Sequence, residues 1–372
     1  MSKLSIGIVG LPNVGKSTLF NALLKKQVAL AANYPFATIE PNVGVVEVPD
    51  ERLAQLAAVV NTTVLVPAIV EFYDIAGLVK GASTGEGLGN KFLSHIREVS
   101  AIAYVHRLFE DSDVIHVHDS VDPMRDLEII GSELIFADIQ TLEKQNDRKV
   151  PVLPPHLSHI KLDNKHWGDI IAQLKAHLNS GNPARSAPLS DEDKEVMSML
   201  SLLTVKPVIH IFNISESQLA EYGADRSAFL NKYRLGAVGE SALFLNAKLE
   251  SDLAGFSKEE ADTLLESYHL DEPGLNKLIK TAYTTLGLQS FLTAGEKEVR
   301  AWTIEKGMSA PQAAGVIHSD FEKHFIKADI VAFDAFIALG GWVKARDAGK
   351  VVSAGREYVM QEGDVVEFKV GV

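Results

Sequence analysis

One nine-residue segment near the N-terminus constrains the fold more than any other part of the chain. Residues 10–18 read Gly-Leu-Pro-Asn-Val-Gly-Lys-Ser-Thr and fit the phosphate-binding pattern G-x-x-x-x-G-K-S. The apolar run 4–9 before it is typical of a buried strand, and apolar residues at helical spacing follow it. A strand, a glycine-containing loop and a helix in this order present backbone N–H groups to phosphates. The sequence therefore predicts a nucleoside-triphosphate site.

Two side chains of this segment carry groups suited to phosphates or to a metal ion. Lys16 is expected to reach the β- and γ-phosphates, and the Ser17 hydroxyl is expected to ligate Mg²⁺. The glycines let successive N–H groups turn toward the phosphates.

Two later segments have the composition of loops that respond to the γ-phosphate. Thr38 lies in a proline-containing loop about twenty residues further on, where it suits closure on Mg²⁺. A buried strand is expected at 68–73 and leads into Asp74-Ile-Ala-Gly77. There the Asp74 carboxylate can hold Mg²⁺ through water and the Gly77 N–H can meet the γ-phosphate.

The residue after Gly77 predicts slow hydrolysis. Many GTPases place a glutamine there to orient the attacking water, and this chain has Leu78, which cannot polarise water. His95, Arg97 and Arg107 are alternative polar groups downstream, although their helix and strand-end positions favour surface or ion-pair roles.

Composition limits the other classes of function. With 372 residues the chain is expected to form two or three domains, and no run approaches ~18 uninterrupted apolar residues. The sequence goes directly into its first strand, so no targeting segment is expected, and without cysteine it has no disulfide or thiolate chemistry. A net charge of −13 argues against wrapping nucleic acid. We expect a cytoplasmic protein with neither a membrane nor DNA as partner.

A possible metal site has weak support. His116 and His118 fall on one face of a predicted strand and Asp119 follows, but no further ligand stands at a diagnostic spacing. A solvated or hydrogen-bonded strand face is the commoner outcome for such a pair.

Hydrophobic periodicity divides the chain into three parts. Residues 1–124 and 206–287 are predicted to form a discontinuous α/β domain, and residues 125–205 interrupt it with helices, one of them capped by Ser190. Residues 288–372 predict a small α+β unit. Its elements are expected to be a strand at 299–303, a helix around 310–324 and strands near 330–333, 350–353, 357–360 and 365–370.

The strand at 206–213 ends in Asn213-Ile-Ser-Glu216, where GTPases carry Asn-Lys-x-Asp for guanine. Glu216 is one methylene longer than the usual Asp and cannot keep its bidentate geometry with guanine without moving. Ile214 would offer apolar contact and backbone groups to any purine, and the Asn213 amide can serve either base. The pattern favours adenine, and a GTP-specific translation GTPase is disfavoured. The loop expected to close over the base contains Asn246, Ala247 and Lys248.

The assembled motifs resemble those of the YchF/Obg-like ATPase family, an Obg-related branch of the P-loop NTPases. The likeness rests on Gly-Leu-Pro-Asn-Val-Gly-Lys-Ser-Thr, Tyr-Pro-Phe-Ala-Thr-Ile-Glu-Pro-Asn, Asp-Ile-Ala-Gly-Leu-Val-Lys-Gly-Ala and Gly-Glu-Gly-Leu-Gly-Asn. It extends to Thr-Ala-Gly-Glu-Lys-Glu-Val-Arg-Ala-Trp-Thr and Ala-Pro-Gln-Ala-Ala-Gly-Val-Ile-His near the C-terminus. The resemblance implies an α/β fold: a Ras-like P-loop NTPase domain, an inserted helical coiled-coil domain and a C-terminal ubiquitin-like TGS domain.

The resemblance also implies Mg²⁺-dependent hydrolysis of ATP, with GTP a weaker ligand, and association with the large ribosomal subunit or the whole ribosome. A thiol-based redox control sometimes ascribed to the family cannot operate in a chain without cysteine. Two interpretations stay open: an ATP-hydrolysing switch, and a ribosome-binding platform stabilised by nucleotide with negligible turnover.

The predicted site residues fall into three groups. Catalytic roles are expected for Lys16, Thr38 and Gly77, and metal ligation for Ser17, Thr38 and Asp74. Nucleotide contacts are expected from Asn13, Val14, Gly15, Lys16, Ser17, Thr18, Asn213, Ile214, Glu216, Asn246, Ala247 and Lys248.

Overall fold

The computed structural model describes residues 5–27, 42–75, 89–111, 121–145, 150–253 and 255–371. The chain divides into two compact units. The first unit comprises Met1–Lys25, Glu40–Gly44 and Phe72–Gly274, and the second comprises Lys26–Ile39, Val45–Glu71 and Leu275–Val372.

The strands of the described residues alternate with helices along most of the chain. They are β1 (Ser5–Val9), β2 (Val43–Glu47), β3 (Leu65–Val66), β4 (Ile69–Asp74), β5 (Ala101–Arg107), β6 (Val208–Asn213), β7 (Leu243–Leu245), β8 (Leu288–Ala294), β9 (Val299–Glu305), β10 (Phe325–Ala332), β11 (Val352–Ala354) and β12 (Asp364–Val370).

The helices vary from single turns to a long segment in the middle of the chain. They are α1 (Lys16–Gln27), α2 (Arg52–Val60), α3 (Asn90–Glu98), α4 (Pro123–Glu143), α5 (Asn164–Asn179), α6 (Asp191–Met197), α7 (Glu216–Ala224), α8 (Arg226–Lys232), α9 (Gly236–Ser241), α10 (Ala247–Leu253), α11 (Lys258–Ser267), α12 (Gly274–Thr285), α13 (Ala310–Ile317), α14 (Ser319–Lys323), α15 (Phe333–Leu339) and α16 (Trp342–Asp347).

The first sheet has the order β2-β4-β1-β5-β6-β7, and β1, β5, β6 and β7 pair in parallel. Every residue of β1 and β5 is buried, as expected for central strands of a sheet covered on both faces. Since parallel strands end at a common edge, β1 and β6 bring residue 10 and Asn213 to the same side of the sheet.

The helical region between β5 and β6 has a core of its own. Ser190 caps α6 as predicted, because its Oγ accepts from the Asp193 N–H at 3.1 Å. Helix α4 contributes to two cores: Ile130 and Leu134 pack with the first sheet, and Leu142 packs with α5. The core of the helical region includes five buried residues of α5: Trp167, Ile170, Ile171, Leu174 and Leu178.

One carboxylate ties α4 to the chain that returns to the sheet. Asp138 is completely buried and accepts from the N–H groups of Leu203 (2.7 Å) and Thr204 (2.8 Å) and from the Thr204 hydroxyl (2.7 Å). Burial raises the pKa of Asp138, and the three hydrogen bonds oppose that rise.

The second sheet has the order β11-β10-β12-β8-β9-β3. β8 and β9 form an antiparallel hairpin, β10 pairs antiparallel with β11 and β12, and β12 runs parallel to β8. The core between this sheet and α13 contains Phe291, Ile304, Ala310, Ala313, Ala314, Phe325, Ala328, Ile330 and Val366.

Residues 45–71 join the second unit, which the sequence analysis did not anticipate. β3 extends the second sheet by pairing in parallel with β9. Arg52, at the start of α2, donates to both Asp50 carboxylate oxygens at 2.8 Å and to Glu362 at 2.6 Å. The two compact units have other boundaries than the three predicted domains. The predicted domain division stays a prediction.

The C-terminal elements differ in detail from the prediction. The helix expected around 310–324 is two helices, because His318 has the extended backbone angles φ −159° and ψ 135°. At 357–360 the structure has only an isolated bridge between Ser309 and Val359 instead of a strand. Two helices, α15 and α16, were not predicted.

Among the residues that the structure describes, no helix combines the length and apolar character needed to cross a membrane.

Candidate nucleotide-binding site

The loop between β1 and α1 has the backbone of a phosphate cradle. Asn13 (φ 61°) and Gly15 (φ 96°) adopt left-handed conformations that turn the loop onto the first turn of α1. Val14 is buried and anchors the loop, so only its backbone can face a phosphate, whereas Asn13, Ser17 and Thr18 are exposed. The predicted phosphate-binding residues are therefore together at one helix N-terminus.

Lys16 is folded into this loop. Its side chain is 7% exposed, and its Nζ donates to the carbonyl of Leu11 at 2.5 Å. Burial lowers the pKa of Lys16 to about 8, although the negative charge of Asp74 opposes this shift. The site thus holds a poorly solvated positive charge that an anionic phosphate would neutralise.

Asp74 supplies the acidic side of the site. It is the last residue of β4, is 5% exposed, and lies near enough to Lys16 to act on its pKa. Its N–H donates to the carbonyl of Asn42 at 3.0 Å. A hydroxyl at Ser17 and a carboxylate at Asp74 are hard oxygen ligands of the kind that Mg²⁺ takes alongside substrate phosphates. Thr38, Gly77 and Leu78 lie outside the described residues.

Asn213 joins the phosphate loop to the predicted base-binding segments. Its Nδ2 donates to the Val14 carbonyl at 3.0 Å, and its Oδ1 accepts from the Ala247 N–H at 3.0 Å. The approach to the loop is so close that a Cβ on Gly15 would lie 2.1 Å from Asn213 Nδ2. Gly15 is therefore required for this contact as well as for its backbone conformation.

The predicted side-chain contact of Ile214 with the base is wrong. Its side chain is fully buried, packed with residues such as Phe212 and Leu219 beneath the site. Its N–H donates to Leu245, and its carbonyl accepts from Asn246 Nδ2 at 2.6 Å. Any contribution of Ile214 to base binding must come from the remaining lone pair of that carbonyl.

Glu216 is the first residue of α7 and is exposed. Its Oε2 accepts from the Tyr268 hydroxyl at 3.3 Å, so a protein donor already engages the carboxylate. The sequence held a signal for this placement: Ser215 and Gln218 form a capping box, which fixes the start of the helix at Glu216. This capping box was not among the predicted features.

The loop after β7 is organised by Asn246. Its Oδ1 accepts from the Leu249 N–H at 2.8 Å, which caps the start of α10. Ala247 is buried against Asn213, and Lys248 is exposed on the same helix turn.

The alternative catalytic groups all have structural partners. His95 lies 3.4 Å from Glu98 Oε2, and Arg97 donates to the Thr141 hydroxyl at 3.1 Å. Arg107 is buried, donates to the Phe109 carbonyl at 3.0 Å and covers the Phe109 ring at 4.5 Å.

The described ranges hold no cluster of three or more His, Cys, Asp or Glu side chains suited to a metal ion. The candidate ligands His116, His118 and Asp119 lie outside those ranges.

The phosphate loop follows the first strand of a parallel sheet and contains a buried lysine, and Asn213 joins it to the loop after β7. These features define a P-loop nucleotide-binding protein. A family model described as "50S ribosome-binding GTPase" matches residues 5–150. The C-terminal model of the YchF GTPases, described as a protein of unknown function, matches residues 288–371.

Full-length relatives agree with both matches. The "Ribosome-binding ATPase YchF" of Bacillus subtilis (strain 168) is 49% identical, covering 99% of this chain and 100% of the relative. The protein of the same name from Escherichia coli O157:H7 is 45% identical over 98% of this chain and 99% of the relative. The solved Schizosaccharomyces pombe YchF GTPase superposes with a TM-score of 0.85 at 39% identity, covering 99% and 98% of the two chains. The chain belongs to the YchF family, and the predicted α/β P-loop fold is confirmed.

Proposed function

We propose that this protein is a Mg²⁺-dependent ATPase that acts as a ribosome-associated nucleotide switch in translation or the stress response. The observation that carries the proposal is the buried Lys16 in a phosphate loop that Asn213 joins to the base-binding segments. Ribosome binding is supported by the names of the relatives and by the family model that matches residues 5–150. We expect the protein to act in the cytoplasm.

Ser17 and Asp74 are the described residues that would hold Mg²⁺, and Thr38 is proposed as a further ligand. When bound, Mg²⁺ would neutralise the negative charge on the β- and γ-phosphate oxygens. Lys16 exchanges its bond to the Leu11 carbonyl for the same phosphates. The Gly77 N–H is proposed to contact the γ-phosphate, and Leu78 is proposed to keep the basal rate below the ~1–100 s⁻¹ of kinases.

The preference for ATP over GTP follows from what Glu216 and Asn213 contact. A guanine-binding Asp accepts from N1–H and the 2-amino group, whereas the Glu216 carboxylate is longer and already accepts from Tyr268. Asn213 uses one amide hydrogen and one oxygen lone pair within the protein and keeps one of each for a purine. The guanine-specific contact is weakened, and the contacts common to both purines remain.

Parallel titrations with non-hydrolysable ATP and GTP analogues test this proposal. We expect ATP to bind at least several-fold tighter, and Glu216→Asp to shift the ratio toward GTP because it restores the shorter carboxylate. Glu221→Asp is the matched control: Glu221 lies on the same helix and pairs with Lys232 on the surface. A preference of the unmodified protein for GTP would contradict the proposal.

A second function is a ribosome-binding platform for which nucleotide is structural. Leu78 favours it because its side chain has no polar group, and His95, Arg97 and Arg107 favour it because each already has a structural partner. In either function the helical region 125–205 and residues 288–372 are proposed to contact ribosomal RNA or protein.

A further inference from the structure

The first unit contains a cavity of about 320 Å³ that is separate from the nucleotide site. It lies over the face of the first sheet, between β5 and β6 on one side and α4 on the other, and the chain before and after α6 closes it. None of its lining residues belongs to the phosphate loop or to the base-binding segments. Its size is at the lower end of small-molecule sites.

Two polar atoms in this cavity have no hydrogen-bond partner among the described residues. The side chain of Tyr104 is buried with its residue only 5% exposed, and its hydroxyl makes no hydrogen bond to any residue that the structure describes. His210 stacks on Tyr104 with ring centroids 5.9 Å apart. Its Nδ1 lies 3.1 Å from His106 Nε2, which leaves the Nε2 of His210 unpaired in the same part of the chain. Neither atom is fully buried, so each can bond to water in the open cavity, and a ligand with a matching polar group could replace that water.

The lining also contains one exposed arginine, whose charge only solvent and backbone contact among the described residues. Arg185 lines it and donates to the Thr204 carbonyl at 3.3 Å, but no carboxylate of the described residues lies within ion-pair distance of its guanidinium. Burial and the charge of Arg185 lower the pKa of His210 to about 4, so His210 is neutral near pH 7. The donors therefore provide a single positive charge.

The remaining lining decides the class of ligand. Apolar side chains form the walls, among them Ile102, Leu127, Leu134 and Leu203, and they suit an apolar ligand body. Glu128 also lines the cavity, and its negative charge disfavours a phosphate dianion or a second carboxylate.

We infer that this cavity is a binding site for a small organic monoanion, with one carboxylate held by Arg185 and Tyr104 and an apolar body between α4 and the sheet. His210 contributes through Nε2. This atom accepts a hydrogen bond when the proton between the two histidines is on His210 Nδ1, and it donates one when that proton is on His106 Nε2.

Ligand-observed NMR titration of the full-length protein with benzoate tests the inference, with neutral benzamide and inorganic phosphate as comparison probes. We expect saturable binding of benzoate in the millimolar range or tighter, with benzamide and phosphate at least about tenfold weaker. Equal affinity for benzamide or phosphate, or no saturable benzoate binding, would overturn the inference.

Two variants locate the site. Arg185→Gln is expected to weaken benzoate binding about tenfold or more, and Tyr104→Phe by about threefold to tenfold, because each removes a donor. Arg300→Gln is the control, because Arg300 pairs with Glu298 in the second unit and neither residue lines the cavity. Tyr104→Phe keeps the ring and its packing, so it still tests the site if Arg185→Gln does not fold. Unchanged affinity in Tyr104→Phe and in a folded Arg185→Gln would rule the site out.

Discussion

At the scale of the residue, Lys16 carries a charge that is buried in the phosphate loop. Its pKa falls from 10.5 in a solvated chain to about 8 in the fold, so the unfolded state binds more protons between these two values. The protein without nucleotide therefore carries a penalty on the order of 3 kcal/mol near neutral pH. This penalty shrinks as pH rises through 8 toward 10.5.

We predict that Lys16→Met increases the free energy of unfolding of the nucleotide-free protein near pH 7 and abolishes ATP hydrolysis. Urea unfolding at several pH values measures the first effect, and the gap to the unmodified protein is expected to narrow above about pH 8. Lys25→Met on the same helix is the control, because Lys25 bonds to Ser251 at the surface. A variant that keeps ATPase activity would refute the role of Lys16.

Gly15 has both a positive φ and a close contact with Asn213, and Gly181 has only the positive φ, so Gly181 serves as a control for the contact. Gly15→Ala forces a side chain into positive φ and places its Cβ 2.1 Å from Asn213 Nδ2. Gly181 also has positive φ (81°), but a Cβ there meets nothing within 4 Å.

We predict that Gly181→Ala costs about 1 kcal/mol of unfolding free energy and leaves nucleotide affinity unchanged. Gly15→Ala is expected to cost more and to weaken ATP binding strongly, because Asn213 must move away from Val14 and Ala247. Thermal unfolding and nucleotide titration of the two variants measure both effects. Equal losses in the two variants would show that the Asn213 contact contributes nothing.

At the scale of elements, Asp138 fixes the helical region to the sheet. It links α4 to the backbone of Leu203 and Thr204, and the Thr204 hydroxyl in turn accepts from the Ala184 N–H at 2.8 Å. These hydrogen bonds join α4, the chain before α6 and the chain that returns to β6 within the first unit.

We predict that Asp138→Ala lowers the free energy of unfolding by about 3 kcal/mol or more, because it leaves buried donors unsatisfied. Asp169 on α5 is exposed, and Asp169→Ala is expected to change stability by less than about 0.5 kcal/mol. Denaturant unfolding compares the two variants. A small effect of Asp138→Ala would mean that water replaces the carboxylate at no cost.

Local patterns predicted the elements whose signals lie within a few residues. The phosphate loop, the strand that ends at Asp74 and the Ser190 cap are examples. The side-chain direction of Ile214 depended on packing with Phe212 and on Asn246, which is 32 residues away. Partners such as Asp138 and Thr204 are 66 residues apart, so sequence reading could not pair them.

At the scale of the molecule, the chain between β2 and β4 of the first sheet belongs to the second compact unit, which contains residues 45–71. These residues were predicted to belong to the first domain, within residues 1–124. The deciding contacts join Arg52 to Glu362, 310 residues later, and no local pattern records them.

Single-turnover hydrolysis of ATP, with and without ribosomes, tests the central claim most directly. We predict slow hydrolysis by the protein alone, because Leu78 cannot orient water, and acceleration by at least about tenfold when ribosomes are added. Lys16→Ala is expected to show no hydrolysis in either condition. A rate unaffected by ribosomes, or no hydrolysis with them, would contradict the proposed switch.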